Sequence, residues 1–423
     1  MNLSVKQKTL ISIFSVLAAF AVGIISTALL VSFWTSLTLW ICAVVIVFAL
    51  AELWPLSTRG LTSNPAPANS FGEAMQRFSA IKAHREAEIH PNCEAYVLHH
   101  GERVGKAYLL VHGISNCPFS MVDFAPRLHA LGHNVLVARM PENGHQDNST
   151  NALKNITAQS LAGFSDECVD IAAGLANRVT VVGISAGGVI AGWMGQNRCE
   201  IDRAVLIAPA YGLSSFGSGL NHSLMRLMLF LPNFSVWKDP IKRSHATSRE
   251  HSYKRQSTRG MGHVMKLGLV TLKQAKSKRP SAASITLITN AGDKAVDTAM
   301  SRGIAGAWER KGAAITKFEF PQHYQLPHEL IDPTEEGARP EITYPKIIEL
   351  AEQEPTSSAN NTGSINDAVS DNSSLSTALT DKLQLGTGKF EPIEVSKPKF
   401  NLADSKLVAP KIIDIRPLEE RKD

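Results

Sequence analysis

Apolar and polar positions divide the chain into segments of different character. From Thr9 to Ala51 there is no Asp, Glu, Lys or Arg in 43 mostly apolar residues, about twice the ~20 that one membrane span needs. The pattern predicts two helices, roughly Thr9–Phe33 and Leu37–Trp54, joined by a tight Trp34-Thr35-Ser36 turn: a transmembrane hairpin within residues 1–56. Trp34, Trp40 and Trp54 fall near the expected interfaces, where indole rings prefer to sit. A cleaved signal fits poorly, because its apolar region runs only ~7–15 residues. Ser57–Ser70, rich in Pro, Ser and Asn, reads as a juxtamembrane linker, and Phe71–Glu88 as a short amphipathic segment; together they fill 57–90. From about 91 to 352 apolar strands alternate with helical patterns, which implies an α/β fold with a mostly parallel sheet flanked by helices. The candidate strands are Glu94–Leu98, Ala107–His112, Asn134–Ala138, Val179–Ile184, Ala204–Ala208, Ser284–Thr289 and Ile315–Phe320. The clearest helix, Ser160–Leu175, keeps Leu161, Phe164, Cys168, Ile171, Ala172 and Leu175 at helical spacing. Residues 211–283 are too long for a plain connection and carry helical patches at Leu224–Leu231 and Met261–Leu272, so they read as an inserted helical cap. The tail, 353–423, begins rich in Ser, Asn and Thr and is expected to be mostly disordered, with Phe390–Val395 and Leu407–Leu418 as candidate docking strands.

Charge sharpens this picture. The chain is only +5, yet Tyr211–Pro280 holds thirteen Lys or Arg against Asp239 and Glu250. An apolar run, Leu224–Pro232, precedes Lys238, Lys242, Arg243, Arg249, Lys254, Arg255 and Arg259. That order suits a lipid-facing lid with its basic part on anionic head groups; a core helix with a solvated basic face is the plainer reading. Nucleic acid is not an expected partner, since no aromatic ladder accompanies the charge. Lys6, Lys8 and Arg59 flank the uncharged run, so the positive-inside tendency puts both ends in the cytoplasm. The expectation is an integral protein of the bacterial inner membrane with a cytoplasmic catalytic domain; a single span would export that domain instead. Cys42 lies in the run, and Cys93, Cys117, Cys168 and Cys199 form no C-x-x-C or dense framework, so free thiols in a reducing compartment and no zinc site are expected.

The candidate chemistry centres on Val181-Val182-Gly183-Ile184-Ser185-Ala186-Gly187-Gly188. A β-branched run feeds a G-x-S-x-G pentapeptide, and a helical pattern follows: the nucleophile elbow. Gly183 and Gly187 leave room where strand and helix crowd, and the helix start aims the Ala186 N–H at an oxyanion forming beside Ser185. A serine hydroxyl needs a base, and the base needs orienting. Upstream, Tyr108–Ser115 is an apolar strand ending in His112-Gly113.

With these motifs the chain resembles the α/β-hydrolase superfamily, especially its compact esterases and lysophospholipase or monoacylglycerol-lipase-like members. The resemblance implies that the residue after His-Gly, Ile114, donates the second oxyanion-hole N–H, with His112 bracing the loop and Gly113 structural. It implies an acid in the turn Asn290–Asp297, where Asp293 is the choice and Asp297 reads as a helix cap. It places the base after the last strand at His328, with His323 as competitor. Ala138–His145 looks like the family's Pro-Gly-His-Gly turn but departs from it by the inserted Glu142 and Asn143, and by Gln146 in place of the last glycine. The implied activity is hydrolysis of a carboxylic ester, lipid-like in character, by a Ser185–His328–Asp293 triad with no cofactor. A peptidase or thioesterase with the same triad and a catalytically silent membrane scaffold are the rivals.

Overall fold

The apolar runs between residues 91 and 352 pair into one sheet. The computed structural model describes residues 10, 12–21, 33–85, 88–237 and 251–353. Its helices are α1 (Phe33–Leu53), α2 (Phe71–Arg85), α3 (Phe124–Ala130), α4 (Ala158–Leu175), α5 (Ala186–Asn197), α6 (Gly217–Phe230), α7 (Thr258–Ser277), α8 (Thr298–Glu309) and α9 (Pro340–Glu352). Its strands are β1 (Tyr96–Leu98), β2 (Val104–Val111), β3 (Asn134–Ala138), β4 (Ala176–Ile184), β5 (Ile201–Ile207), β6 (Ser235–Trp237), β7 (Arg255–Ser257), β8 (Ser284–Asn290) and β9 (Ala314–Phe320). The seven-stranded sheet has the order β1-β3-β2-β4-β5-β8-β9. Only β1 runs antiparallel to its neighbour.

Parallel strands covered by helices on both faces bury every side chain, so they read as continuous apolar runs rather than alternating ones. Strand β8 is buried from end to end, and so are the last six residues of β2 and of β4. Each Val, Leu or Ile removed from water there contributes roughly 1.5–3 kcal/mol. Helix α4 starts at a reciprocal cap: Thr157 Oγ1 accepts from Ser160 N at 2.9 Å, and Ser160 Oγ accepts from Thr157 N at 3.0 Å. From β2 the chain moves outward to β3, then crosses back to β4 and proceeds the other way to β5. The connections therefore diverge between β2 and β4, and such a divergence opens a crevice at the carboxyl ends of the strands. This is an α/β-hydrolase-like fold, a mostly parallel central sheet flanked by helices.

Between β5 and β8 stand α6, the β6–β7 hairpin and α7. Helix α6 grips the end of α1. Arg226 donates from Nη1 to Glu52 O at 2.8 Å and Trp54 O at 2.9 Å, and the Trp54 and Phe230 rings meet edge to face. The 57–70 segment is tied to α4. Ser63 Oγ and Asn64 N donate to the Asp166 carboxylate, and Ala66 N donates to Asp170 Oδ1 at 3.0 Å. The same two carboxylates bind Arg198, which is fully buried and also pairs with Glu200.

Two expectations are corrected, the turn and the free cysteines, and the expected spans are not found among the described residues. Trp34, Thr35 and Ser36 are helical, being part of α1, so no turn divides the uncharged run there. Among the described residues no helix is long and apolar enough to cross a membrane. The first expected span is described only at residues 10 and 12–21, and the side chains of α1 only from Leu37 onward. The cysteines are not all free: Cys93 and Cys117 form a disulfide with Cα atoms 5.2 Å apart, leaving Cys42, Cys168 and Cys199 as thiols. The tail and the basic stretch 238–250 lie outside the described residues.

Candidate active site

Ser185 stands where β4 turns into α5, beside the crevice. Its backbone is in a sparsely populated region, φ 57° and ψ −117°, which costs roughly 1–3 kcal/mol and persists only where the surroundings enforce it. They do so on both sides. Ser185 N donates to Ile207 O at 2.9 Å, and Ser185 O accepts from Ala210 N at 3.0 Å and Val189 N at 3.2 Å. The flanking glycines are required by backbone approach: a Cβ on Gly183 would lie 2.0 Å from Gly187 O, and one on Gly187 would lie 2.1 Å from Val111 O. The end of β2 thus passes directly against the first turn of α5, with Gly113 beside Ser185: a Cβ on Gly113 would lie 3.5 Å from Ser185 Cβ. Only 6 % of Ser185 is exposed.

The acid turn follows β8 and the histidine loop follows β9. His328 Nδ1 and Asp293 Oδ2 are 2.7 Å apart, with 19 % of the histidine side chain exposed and none of the aspartate. Asp293 Oδ1 accepts from Ala295 N at 2.7 Å and Val296 N at 3.3 Å. Burial alone would raise the Asp293 carboxyl, but the hydrogen bond and charge of His328, with these two amides, hold it below the usual carboxylate range. Burial likewise pushes His328 down, and the Asp293 carboxylate outweighs it, so the imidazole sits above its ordinary value. The competitors are elsewhere. Asp297 caps α8, accepting from Ala299 N and Met300 N, while His323 is exposed and lies against Tyr324.

The loop after β2 is held from within. His112 is fully buried; its Nε2 accepts from Met140 N at 3.2 Å, which leaves Nδ1 to donate to Gly113 O at 2.8 Å. Burial pushes this imidazole down to about 4 despite the bond to Gly113, and Arg139 pushes the same way, so it is neutral. Asn143 donates from Nδ2 to Ile114 O at 2.6 Å and Asn116 O at 2.9 Å. The returning end of the 211–283 segment seals the loop. Tyr253 N donates to Ser115 O at 2.8 Å, and Tyr253 OH donates to Glu142 O at 2.8 Å. Cys117, a short step past Ile114, is bridged to Cys93.

Several of these supports were not singled out from the sequence. Asn290 Nδ2 reaches Leu326 O at 2.9 Å and Pro327 O at 3.2 Å, sewing the acid turn to the histidine loop. Its place at the end of β8, just before the acid turn, was the available signal. Asn143 stands in a Pro-Glu-Asn-Gly run whose turn chemistry already accounts for it, so it gave no separate signal.

No protein-family model matches the chain, and no curated protein does. Solved structures do. One belongs to work on LipS and LipT, two metagenome-derived lipolytic enzymes: 15% identity and TM-score 0.44, covering 62% of this chain and 99% of that one. The Paleococcus ferrophilus monoacylglycerol lipase is similar at 17% identity and TM-score 0.45, covering 61% of this chain and 98% of that one. A soluble variant of Saccharomyces cerevisiae monoglyceride lipase, in complex with a substrate analog, is similar at 13% identity and TM-score 0.41, covering 58% and 86%.

Proposed function

We propose that this protein is a serine hydrolase acting on carboxylic esters, lipid-like ones among them. One observation carries the reading: the Asp293–His328 hydrogen bond is made in the same molecule that holds a strained, enclosed Ser185 at the crevice between β2 and β4. Ser185 Oγ attacks the ester carbonyl while His328 Nε2 takes its proton, and Asp293 holds the imidazole by Nδ1. The N–H groups of Ile114 and Ala186 receive the oxyanion. Collapse breaks the ester C–O bond, and His328 returns the proton to the leaving alkoxide. Water, activated by the same imidazole, then releases the acid. The test is fluorophosphonate labelling of the detergent-solubilised protein, with hydrolysis of a short-chain ester. Ser185→Ala should abolish both; more than ~1% residual turnover removes Ser185 as nucleophile, since losing a triad serine leaves far less.

Membrane attachment is part of the same proposal. It is supported by the uncharged 43-residue run and by α1 side chains that face solvent, Trp40 at 57%, Val45 at 60% and Leu53 at 80% exposed, since apolar surface on this scale marks a binding face. Of the two topologies, the disulfide favours the exported one: such bridges persist in oxidising compartments and are rare in the cytosol. A periplasmic-active phosphatase fused after Asp423 should therefore be active. An inactive fusion, at normal expression, returns the catalytic domain to the cytoplasm.

A further inference from the structure

The 42 residues between Glu250 and Asp293 hold eight Lys or Arg and no carboxylate. Helix α7 lies in this stretch, and four of the eight, Lys273, Lys276, Lys278 and Arg279, fall within seven residues at its carboxyl end. All four are exposed, and none makes an ion pair among the described residues. The helix dipole accounts for a cation in the last turn; it does not account for Lys278-Arg279 beyond that turn, or for the lack of any acid to offset them.

Their position supplies a partner. Helices α6 and α7 run antiparallel: a Cβ on Gly262 would lie 3.1 Å from Met228 Cβ, while His222 and Met225 line one cavity with Leu269 and Leu272. Burial lowers the His222 imidazole, Arg226 adds to this, Glu52 opposes it and Lys273 adds again, so three charges surround one ring. Arg226 Nε is 3.3 Å from Glu52 Oε2. Glu52 is the first charged residue after the uncharged run, and on the membrane-attachment reading it marks where α1 leaves apolar surroundings. Lys273 therefore stands at that level. Traced back from Trp54 beside Phe230 to Glu52 beside Arg226, the chain heads toward the amino end of α6. That is the side on which α7 has its carboxyl end, so the four cations face the side from which α1 arrives.

We infer that Lys273, Lys276, Lys278 and Arg279 form a docking surface for the anionic head groups of the bilayer that holds α1. The inference rests on the membrane-attachment reading above and adds to it a lipid preference. An anionic leaflet attracts basic side chains that stand close to it, and the attraction falls off within one screening length. The carboxyl end of α7 is thus drawn onto the leaflet where anionic lipid is present and released where it is absent or screened.

The experiment places the full-length protein in nanodiscs of phosphatidylcholine, or of an equal mixture with phosphatidylglycerol, and reads acetylation lysine by lysine with mass spectrometry. Lys273, Lys276 and Lys278 should react about 5-fold more slowly in the anionic discs, the scale of one basic side chain beside an anionic leaflet. Lys346, on the helix whose Tyr344 packs against Phe124 of α3, should keep its rate. The difference should shrink with salt, because the screening length falls from ~10 Å at 0.1 M to ~3 Å at 1 M. A second arm follows melting. Phosphatidylglycerol should raise the melting point of the wild type, as any ligand of the folded state does, and the rise should vanish in Lys273→Gln/Lys276→Gln/Lys278→Gln/Arg279→Gln. Equal acetylation of the three lysines in both discs at low salt, or a melting rise that the variant keeps, overturns the docking surface and leaves the attachment standing. A full-length protein that stays monodisperse without detergent or lipid overturns the attachment and this inference together.

Discussion

Replacing Cys93 and Cys117 together by serine opens a covalent loop spanning a sequence separation of 24. The chain entropy released in the unfolded state for a loop of that length is about 3.5 kcal/mol at 25 °C. Both cysteines are buried, packed with Ile89 and against Phe119, so two hydroxyls left there add to the loss. For a domain of this size 1 kcal/mol moves the melting point by about 2 °C, which gives a drop of roughly 7 °C. Differential scanning calorimetry of wild type with and without reductant, beside Cys93→Ser/Cys117→Ser, reads this directly; the reduced protein and the double variant should converge. Under denaturing, non-reducing conditions three of the five cysteines should titrate as thiols. Because the bridge anchors the loop that carries Ile114, kcat on a neutral ester should also fall about 10-fold, less than the 10²–10³ lost with a whole oxyanion donor. Five titratable thiols, or a melting point indifferent to reductant, would refute the reasoning.

Three further outcomes are expected. Asn143→Ala strips hydrogen bonds from Ile114 O and Asn116 O, at about 1–3 kcal/mol for each carbonyl left buried and unpaired; urea unfolding should show the loss, and kcat should fall with little change in KM. The kcat/KM profile should lose activity on the acid side at a midpoint above 6.5, because burial lowers His328 but Asp293 raises it more; in Asp293→Asn the midpoint should drop as the rate does, and an unmoved midpoint removes the coupling. Glu352 pairs with Lys106 and His133 at 3.1 Å and accepts from Tyr108 OH. Burial would raise its carboxyl, yet these partners bring it down to about 2 from 4.5, so its stabilisation is present above 4.5 and lost as pH falls toward 2. Glu352→Gln should cost up to about 3 kcal/mol at neutral pH and flatten the acid limb of stability, which urea melts on either side of 4.5 would check.

The sheet was legible because its central strands are buried on both faces, so Val181–Ile184, Ala204–Ala208 and Ser284–Thr289 stand out as runs. The site was legible where chemistry and local geometry coincide. Ser185 needs glycines at fixed offsets from itself, whereas the pairing of Asp293 with His328 rather than of Asp297 with His323 is a matter of loop packing. What escaped is non-local. Cys93 and Cys117 look like isolated thiols until the start of the domain folds onto the loop after β2. Ser57–Ser70 has the composition of a linker, yet its amides and a hydroxyl find lone pairs on Asp166 and Asp170 that buried Arg198 leaves over. Trp34, Thr35 and Ser36 suggest a turn, but none is a strong helix breaker, and α1 runs through them.

The grip of Arg226 on the end of α1 has a mechanical side. Two carbonyls of the last turn and its exit, Glu52 O and Trp54 O, are held by one guanidinium carried on α6. The Trp54–Phe230 ring contact adds a second hold one turn further along α6. Helix α6 therefore cannot swing as a rigid body without dragging the end of α1, and any tilt of α1 is delivered to α6 as torque. Helix α6 also leads the excursion that ends at Tyr253 against the loop after β2. The orientations of the apolar helix and of α6 are thus two ends of one lever, with Arg226 as its pin.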